Sequence, residues 1–293
     1  MNRTSQKAIE ALFLLSAIIS VIALGLILWF ILMKGIPALR EIGIWEFVSG
    51  DLWMPSADLY GILPMIVSSL LVTLGAVAVG TPVSILAALF LTQLAPKKLA
   101  NAAQVVIELL AAIPSVVYGF FGLALIVPTI DKWSGGYGGN SLFAGIIILA
   151  MMILPTIISV SATSLKAVPE AYKDASLALG ESITGTSYRV MLPAAKTGVF
   201  TAIVLGIGRA VGETMAVILV MGNTPRMPDF FNKGLAALFQ PTRTLTGNIA
   251  IEMGYATGLH EGALFATATV LLVFIVIINL TLWWIQKKAG SVQ

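Results

Sequence analysis

The sequence predicts an all-α, polytopic membrane protein with six transmembrane helices, and three observations predict it. Apolar residues make up 58% of the 293 positions and charged residues only 11%, against about 25% charged in a typical soluble domain. Apolar runs recur at the length of about 20 residues that a helix needs to cross a bilayer. Lysine and arginine are shared unevenly between the connecting loops, as they are across a membrane.

The expected spans are Ala11–Met33, Ile62–Leu94, Ala102–Ile130, Leu142–Leu165, Thr197–Met221 and Ala263–Ile285. The first has an apolar stretch of about 23 residues, longer than the 7–15 of a signal peptide, and no Ala-x-Ala site follows, so it reads as an uncleaved anchor. The second and third exceed what a bilayer requires. Pro82, Pro114 and Pro128 predict that they kink, break or leave the hydrocarbon.

One side of the membrane receives Arg3, Lys7, Lys97, Lys98, Lys166, Lys173, Arg189, Lys196, Lys287 and Lys288. The other receives Lys34, Arg40, Lys132, Arg226, Lys233 and Arg243. Ten against six, with the six spread over longer loops, makes the first side cytoplasmic and places both termini there. The chain then reads as one permease domain, 1–293, with outer loops 34–61, 131–141 and 222–262 and a cytoplasmic loop 166–196. The loop 222–262 holds Pro225, Pro228 and Pro241. A loop of that length is usually functional or mobile. It serves either as a surface for a soluble binding protein or as a folded cap over helix ends, and both remain open.

Several function classes fall away. Cysteine is absent, so disulfide and thiol chemistry are excluded. The single histidine, His260, reads as solvated loop surface, and no metal-ligand spacing is present. No Gly-x-x-x-x-Gly-Lys-Ser/Thr motif exists to hold ATP. The net charge of +3 comes without a basic cluster, so no nucleic-acid partner is expected. The chain reads as a non-enzyme without a cofactor or metal of its own, whose energy comes from a partner or an ion gradient.

The loop 166–196 has its own pattern. Val168-Pro169-Glu170 starts a helix, because proline lacks the N–H that a first turn leaves unbonded and Glu170 suits the positive end of the dipole. Ala171, Tyr172, Ala175, Ala178 and Leu179 recur at helical spacing and form a small apolar face. Gly180 suits a helix C-cap, and Leu192-Pro193 closes a second short segment. A compact helical knob results, fit for a groove on another protein. The alternative is an amphipathic connector folded on its own membrane domain.

The fifth span carries Gly206-Ile207-Gly208-Arg209-Ala210-Val211-Gly212-Glu213-Thr214. A charge near mid-membrane is costly and marks a functional candidate. Arg209 and Glu213 are four apart, so a continuous helix would put them on one face, able to pair. Gly208 and Gly212 form a small-residue strip for close helix packing, which suits a fifth helix at a subunit interface with its Arg/Glu face on the translocation path. Arginine offers a planar, permanently charged fork to an oxyanion. Arg209, Glu213 and Thr214 are thus candidates for a substrate path or gate. A structural ion pair that fixes helix register is the alternative. Weaker polar candidates are Ser68, Ser69, Thr73, Gln104, Glu108 and the run Ile113–Gly122.

Two sets of residues carry a family resemblance. Asp174-Ala175-Ser176, three residues, Gly180, nine residues and Val190-Met191-Leu192-Pro193 resemble the coupling loop of bacterial ABC importer permeases. That pattern is Glu-Ala-Ala, three residues, Gly, nine residues, Ile-x-Leu-Pro; Asp, Ser and Val are the departures here. From about Trp45 to Trp283 the chain resembles the PstC-type permeases of the high-affinity phosphate ABC importer, the Pst system. The matching residues are Trp53-Met54-Pro55, Tyr60-Gly61-Ile62-Leu63-Pro64, Ile113–Gly122, and Arg209-Ala210-Val211-Gly212-Glu213-Thr214-Met215-Ala216-Val217 leading to Gly222-Asn223-Thr224-Pro225.

The resemblance implies a type I importer permease in the bacterial inner membrane. Its partners would be a PstA-type permease, a PstB-type ATPase dimer that carries ATP and Mg, and an extracytoplasmic PstS-type phosphate-binding protein. Glu170, Ala171, Asp174, Ala175, Ser176, Gly180, Leu192 and Pro193 would meet the ATPase, and phosphate would pass Arg209 and Glu213. Rival readings are a permease for sulfate or molybdate, an ion-gradient transporter with Glu213 as carrier, and a scaffold or sensor subunit without flux.

Overall fold

Apolar runs with no water to satisfy their backbone become helices, which bond every peptide group internally. The computed structural model describes residues 3–136 and 138–290. Residues 1–2 and 291–293 of the expected domain, and 137 in the loop 131–141, lie outside the described residues.

Helix α1 (Arg3–Ile42) passes through Pro37 and runs beyond the expected end at Met33, so 34–42 is helix rather than loop. After α2 (Ile44–Ser49), a hairpin of β1 (Trp53–Met54) and β2 (Leu59–Tyr60) pairs Trp53 with Tyr60. Helix α3 (Leu63–Leu89) continues through a π-helical turn to Leu94.

The third run divides. Helix α4 (Lys97–Ala112) stops at Ile113-Pro114, and a new helix α5 (Ser115–Phe121) runs on through a π-helical turn into α6 (Val127–Trp133). The cause is Pro114, which cannot donate and disfavours helical backbone at the residue before it; Ile113 is extended, with ψ 127°. Of the expected span Ala102–Ile130, the part long and apolar enough to cross is Ser115–Trp133.

Helix α7 (Leu142–Lys166) begins at Ser141, whose hydroxyl accepts from the Ala144 N–H. Short helices α8 (Glu170–Ala178), α9 (Ile183–Thr186) and α10 (Leu192–Ala194) form a knob. The chain then bends by 75° into α11 (Lys196–Gly212). Helix α12 (Met215–Val220) follows a break at Glu213-Thr214. The segment 222–262 folds as a cap built from α13 (Phe230–Lys233), a 3-10 turn Gly234–Phe239, α14 (Leu245–Glu252) and the start of α15 (Leu259–Gly290).

Among the described residues, five helices are long and apolar enough to cross a membrane, and a sixth span exists if the bent pair Ile183–Ala194 and Lys196–Gly212 counts as one. The all-α, six-span expectation is borne out. Helix α7 is the centre, with 61% of its apolar window buried, while that of α1 is wholly exposed. The core has three parts. The largest joins α3, α5, α7, α11 and α12, one lies under the cap, and one lies at the knob end. Helix α1 attaches to α15 through small residues: a Cβ on Gly35 would sit 2.7 Å from the Phe265 carbonyl oxygen.

Candidate functional site

Arg209 occupies the last turn of α11, half-buried. Its Nη1 donates to the Thr156 hydroxyl on α7 at 3.0 Å. The other guanidinium N–H groups find no acceptor among the described residues. Glu213 lies just past the end of α11 with extended backbone, φ −71° and ψ 132°. Its Oε1 accepts from the Ala216 N–H at 3.2 Å and so caps α12. Its carbonyl oxygen accepts from the Thr246 hydroxyl of α14 at 3.0 Å. Thr214 is the residue before α12, and its carbonyl accepts from the Ile218 N–H at 3.0 Å.

The expected Arg209–Glu213 ion pair therefore does not form. The helix ends at Gly212, so the two residues no longer share a helical face. The first N–H groups of α12 have no partner within the helix, and the Glu213 carboxylate supplies one. Gly208 and Gly212 stay open. Both are exposed, and a Cβ at either would meet nothing within 4 Å, so no helix among the described residues packs closely on their strip. The close packing of α11 on α7 falls to Gly206, where a Cβ would lie 2.7 Å from Ile157 Cδ1.

Several of the weaker candidates bond within the chain, whereas Ser68 Oγ is buried without a partner among the described residues. Ser69 Oγ accepts the Leu245 N–H at 3.0 Å. Gln104 bonds Glu108 along α4 at 2.9 Å. The Tyr118 hydroxyl donates to the Leu110 carbonyl at 2.9 Å, bridging the break at Pro114.

The knob is built as its residues direct. Helix α8 ends in a Schellman motif: the Gly180 N–H reaches the Leu177 carbonyl at 3.0 Å and the Glu181 N–H reaches the Ser176 carbonyl at 3.3 Å. Gly180 holds φ +86°, the left-handed conformation that this cap needs. Glu170, Ala171, Asp174, Ala175, Gly180 and Pro193 are exposed and Leu192 is half-buried. Leu179, 90% exposed, is the most prominent apolar side chain of the knob. Ser176 is a correction. It is buried and bonds the Thr186 hydroxyl at 2.9 Å, so it fastens α8 to α9 and offers no contact surface.

One cluster escaped the sequence reading. Under the cap, Glu252 pairs with Arg243 and accepts from the Trp53 indole N–H at 2.8 Å. Its Oε2 also lies 2.8 Å from His260 Nε2. Arg243 further donates to the Asn223 carbonyl at 2.8 Å and to Asn248 Oδ1 at 2.9 Å. The His260 side chain is only 14% exposed and is ringed by Trp53, Tyr60 and Tyr255, so the expectation of a solvated histidine is corrected. Burial of the Tyr60 hydroxyl, reinforced by Asp58, raises its pKa above the ordinary 10.0.

The sequence of residues 80–290 matches the model of a single family, the binding-protein-dependent transport system inner membrane component. The chain belongs to this family. As an inner membrane component with several membrane-crossing helices, it is a multi-pass membrane protein. Among its relatives is the probable ABC transporter permease protein YqgH of Bacillus subtilis, 37% identical over 93% of this chain and 88% of that protein. The phosphate transport system permease protein PstC of Pasteurella multocida is 32% identical over 89% of each chain. The PstC of Haemophilus influenzae is 32% identical over 86% of each. The resemblance to PstC-type permeases read from the motifs is borne out.

Solved structures share the fold at low identity. An inward-facing MetNI methionine ABC transporter aligns over 81% of this chain and 99% of its own, with TM-score 0.61 and 18% identity. A bacterial ABC transporter involved in alginate import aligns over 99% of this chain and 100% of its own, with TM-score 0.58 and 17% identity.

Proposed function

We propose that this chain is the PstC-type permease subunit of an ATP-driven phosphate importer. It forms half of the translocation path and couples to a separate ATPase. The observation that carries the reading is Arg209, an intramembrane arginine with N–H groups unspent on the described residues, in a chain whose relatives include phosphate permeases. A guanidinium can give two parallel hydrogen bonds to one phosphate and keeps its charge at any working pH.

The partners follow from the family. A PstA-type permease meets the open Gly208/Gly212 face. The exposed knob, with both termini, lies in the cytoplasm, where a PstB-type ATPase dimer receives it. That dimer carries the ATP and Mg and does the hydrolysis; this chain is a transport subunit and not an enzyme. A PstS-type binding protein delivers phosphate to the cap. Closure of the ATPases moves the knob, and because the knob continues through a 75° bend into α11, the motion reaches Arg209 along one rigid helix.

The test is uptake of labelled phosphate by vesicles that hold this chain with the partner permease, ATPase and binding protein. Uptake that requires ATP and persists in excess sulfate supports the proposal. Uptake blocked by sulfate moves the substrate to another oxyanion, and uptake driven by an ion gradient without ATP removes the class.

A further inference from the structure

An arginine and a carboxylate four residues apart in a poorly solvated site attract each other strongly, because the low dielectric leaves their charges little screened. Here they stay apart, and a small set of contacts keeps them so. Thr156 Oγ1 takes one N–H of Arg209. On the other side, the Thr246 hydroxyl grips the Glu213 carbonyl and holds the chain extended at the point where α11 stops. The Thr246 hydroxyl also lies 3.2 Å from that of Thr244, and Thr244 Oγ1 accepts from the Gly247 N–H at 3.1 Å to cap α14. The grip on Glu213 therefore comes from the first turn of the cap helix α14, which Ser69 of α3 also holds through the Leu245 N–H. With its backbone fixed in this way, the Glu213 carboxylate turns to the Ala216 N–H.

We propose that Thr156 and Thr246 are positioning residues that hold Arg209 and Glu213 apart, so that the Arg209 guanidinium is open to a passing oxyanion. The role rests on the phosphate reading above. Loss of either hydroxyl lets the pair close, and the carboxylate then competes with phosphate for the same N–H groups. Neither threonine needs to touch phosphate.

The experiment measures ATP-dependent phosphate uptake by the full complex carrying Thr156→Val, Thr156→Ser, Thr246→Val or Thr246→Ser, each alone and combined with Glu213→Gln. Each valine change is expected to raise KM about tenfold with kcat within about twofold, the scale of one hydrogen bond to a charged group. Serine at either position keeps KM near wild type. Against Glu213→Gln, the same valine changes raise KM by less than about twofold, because a neutral amide does not lock the guanidinium. Alanine variants are read alongside in case valine impairs assembly, which co-purification of the partner permease reports.

Serine variants as impaired as valine ones would overturn the proposal. So would valine effects of equal size with and without the Glu213 carboxylate. If Arg209→Gln stops uptake while all threonine variants transport normally, the positioning role alone falls. If Arg209→Gln transports normally, the phosphate reading falls with it.

Discussion

Arg209 and Glu213 stand four residues apart yet bind to different helices: the guanidinium to Thr156 of α7, the carboxylate to the first turn of α12. A continuous α11 would have joined them. The helix stops at Gly212 instead, and the stop leaves a positive charge in the membrane domain without a carboxylate on it. That is the arrangement an anion path needs, and it gives the proposed function its physical content.

The buried Arg243–Glu252 pair holds the cap together, and its side chains are 12% and 7% exposed. Removing one partner strands the other. Glu252→Ala is expected to destabilise the cap by about 3–5 kcal/mol, the cost of an uncompensated buried charge. It also frees the Trp53 indole and His260. Thermal unfolding of the detergent-solubilised chain, followed by Trp53 emission, measures the loss, and Glu252→Gln is expected to be milder because it still accepts hydrogen bonds.

Gly180 is needed for its backbone and not for space. Its φ is +86° and a Cβ would meet nothing within 4 Å. Gly180→Ala is expected to cost about 1 kcal/mol through the left-handed conformation alone, and Gly180→Asn less. Gly180→Asp, which adds a charge on the exposed knob, is expected to leave membrane insertion intact and weaken ATPase docking. Co-purification of the ATPase with each variant reads the difference.

Ser176 and Thr186 close the knob through a buried hydroxyl pair. Ser176→Ala or Thr186→Val alone leaves one hydroxyl unpaired and is expected to destabilise the knob by about 1–3 kcal/mol, whereas changing both together is expected to cost less than the sum. Hydrogen exchange over 170–191 in the two single variants and the double variant completes the cycle.

The hairpin under the cap responds to alkaline pH. Burial, then Asp58, raises the Tyr60 pKa above 10.0, so the folded state holds the phenol proton more tightly than the unfolded chain. That contribution is fully present below the unfolded phenol pKa and is lost as pH rises through the folded one. The cap is expected to loosen above about pH 10, where unfolded phenols ionise. Tyr60→Phe is expected to remove part of this dependence, measured by Trp53 emission against pH, since the two rings lie 5.6 Å apart.

Much of this was legible in the residues. The six apolar runs declared themselves by length, the break before α5 by Pro114, and the knob's C-cap by Gly180. What stayed hidden depends on distant partners. Glutamate and threonine after Gly212 do not forbid a helix, and the stop at Glu213 is secured by Thr246, far along the chain in the cap. His260 looked solvated because Trp53 and Tyr60, which cover it, lie about two hundred residues away. Ser176 came as a contact residue from the coupling-loop pattern, and only the fold of α9 brings Thr186 over it. Gly208 and Gly212 were legible as a small-residue strip, and no helix among the described residues covers it.

The most direct test of the central claim is ATP-dependent phosphate uptake by the assembled complex carrying Arg209→Gln beside wild type. The arrangement predicts that uptake collapses while the partner permease and ATPase still co-purify with the variant. Uptake at the wild-type rate from an intact Arg209→Gln complex would contradict it and leave Arg209 a structural residue.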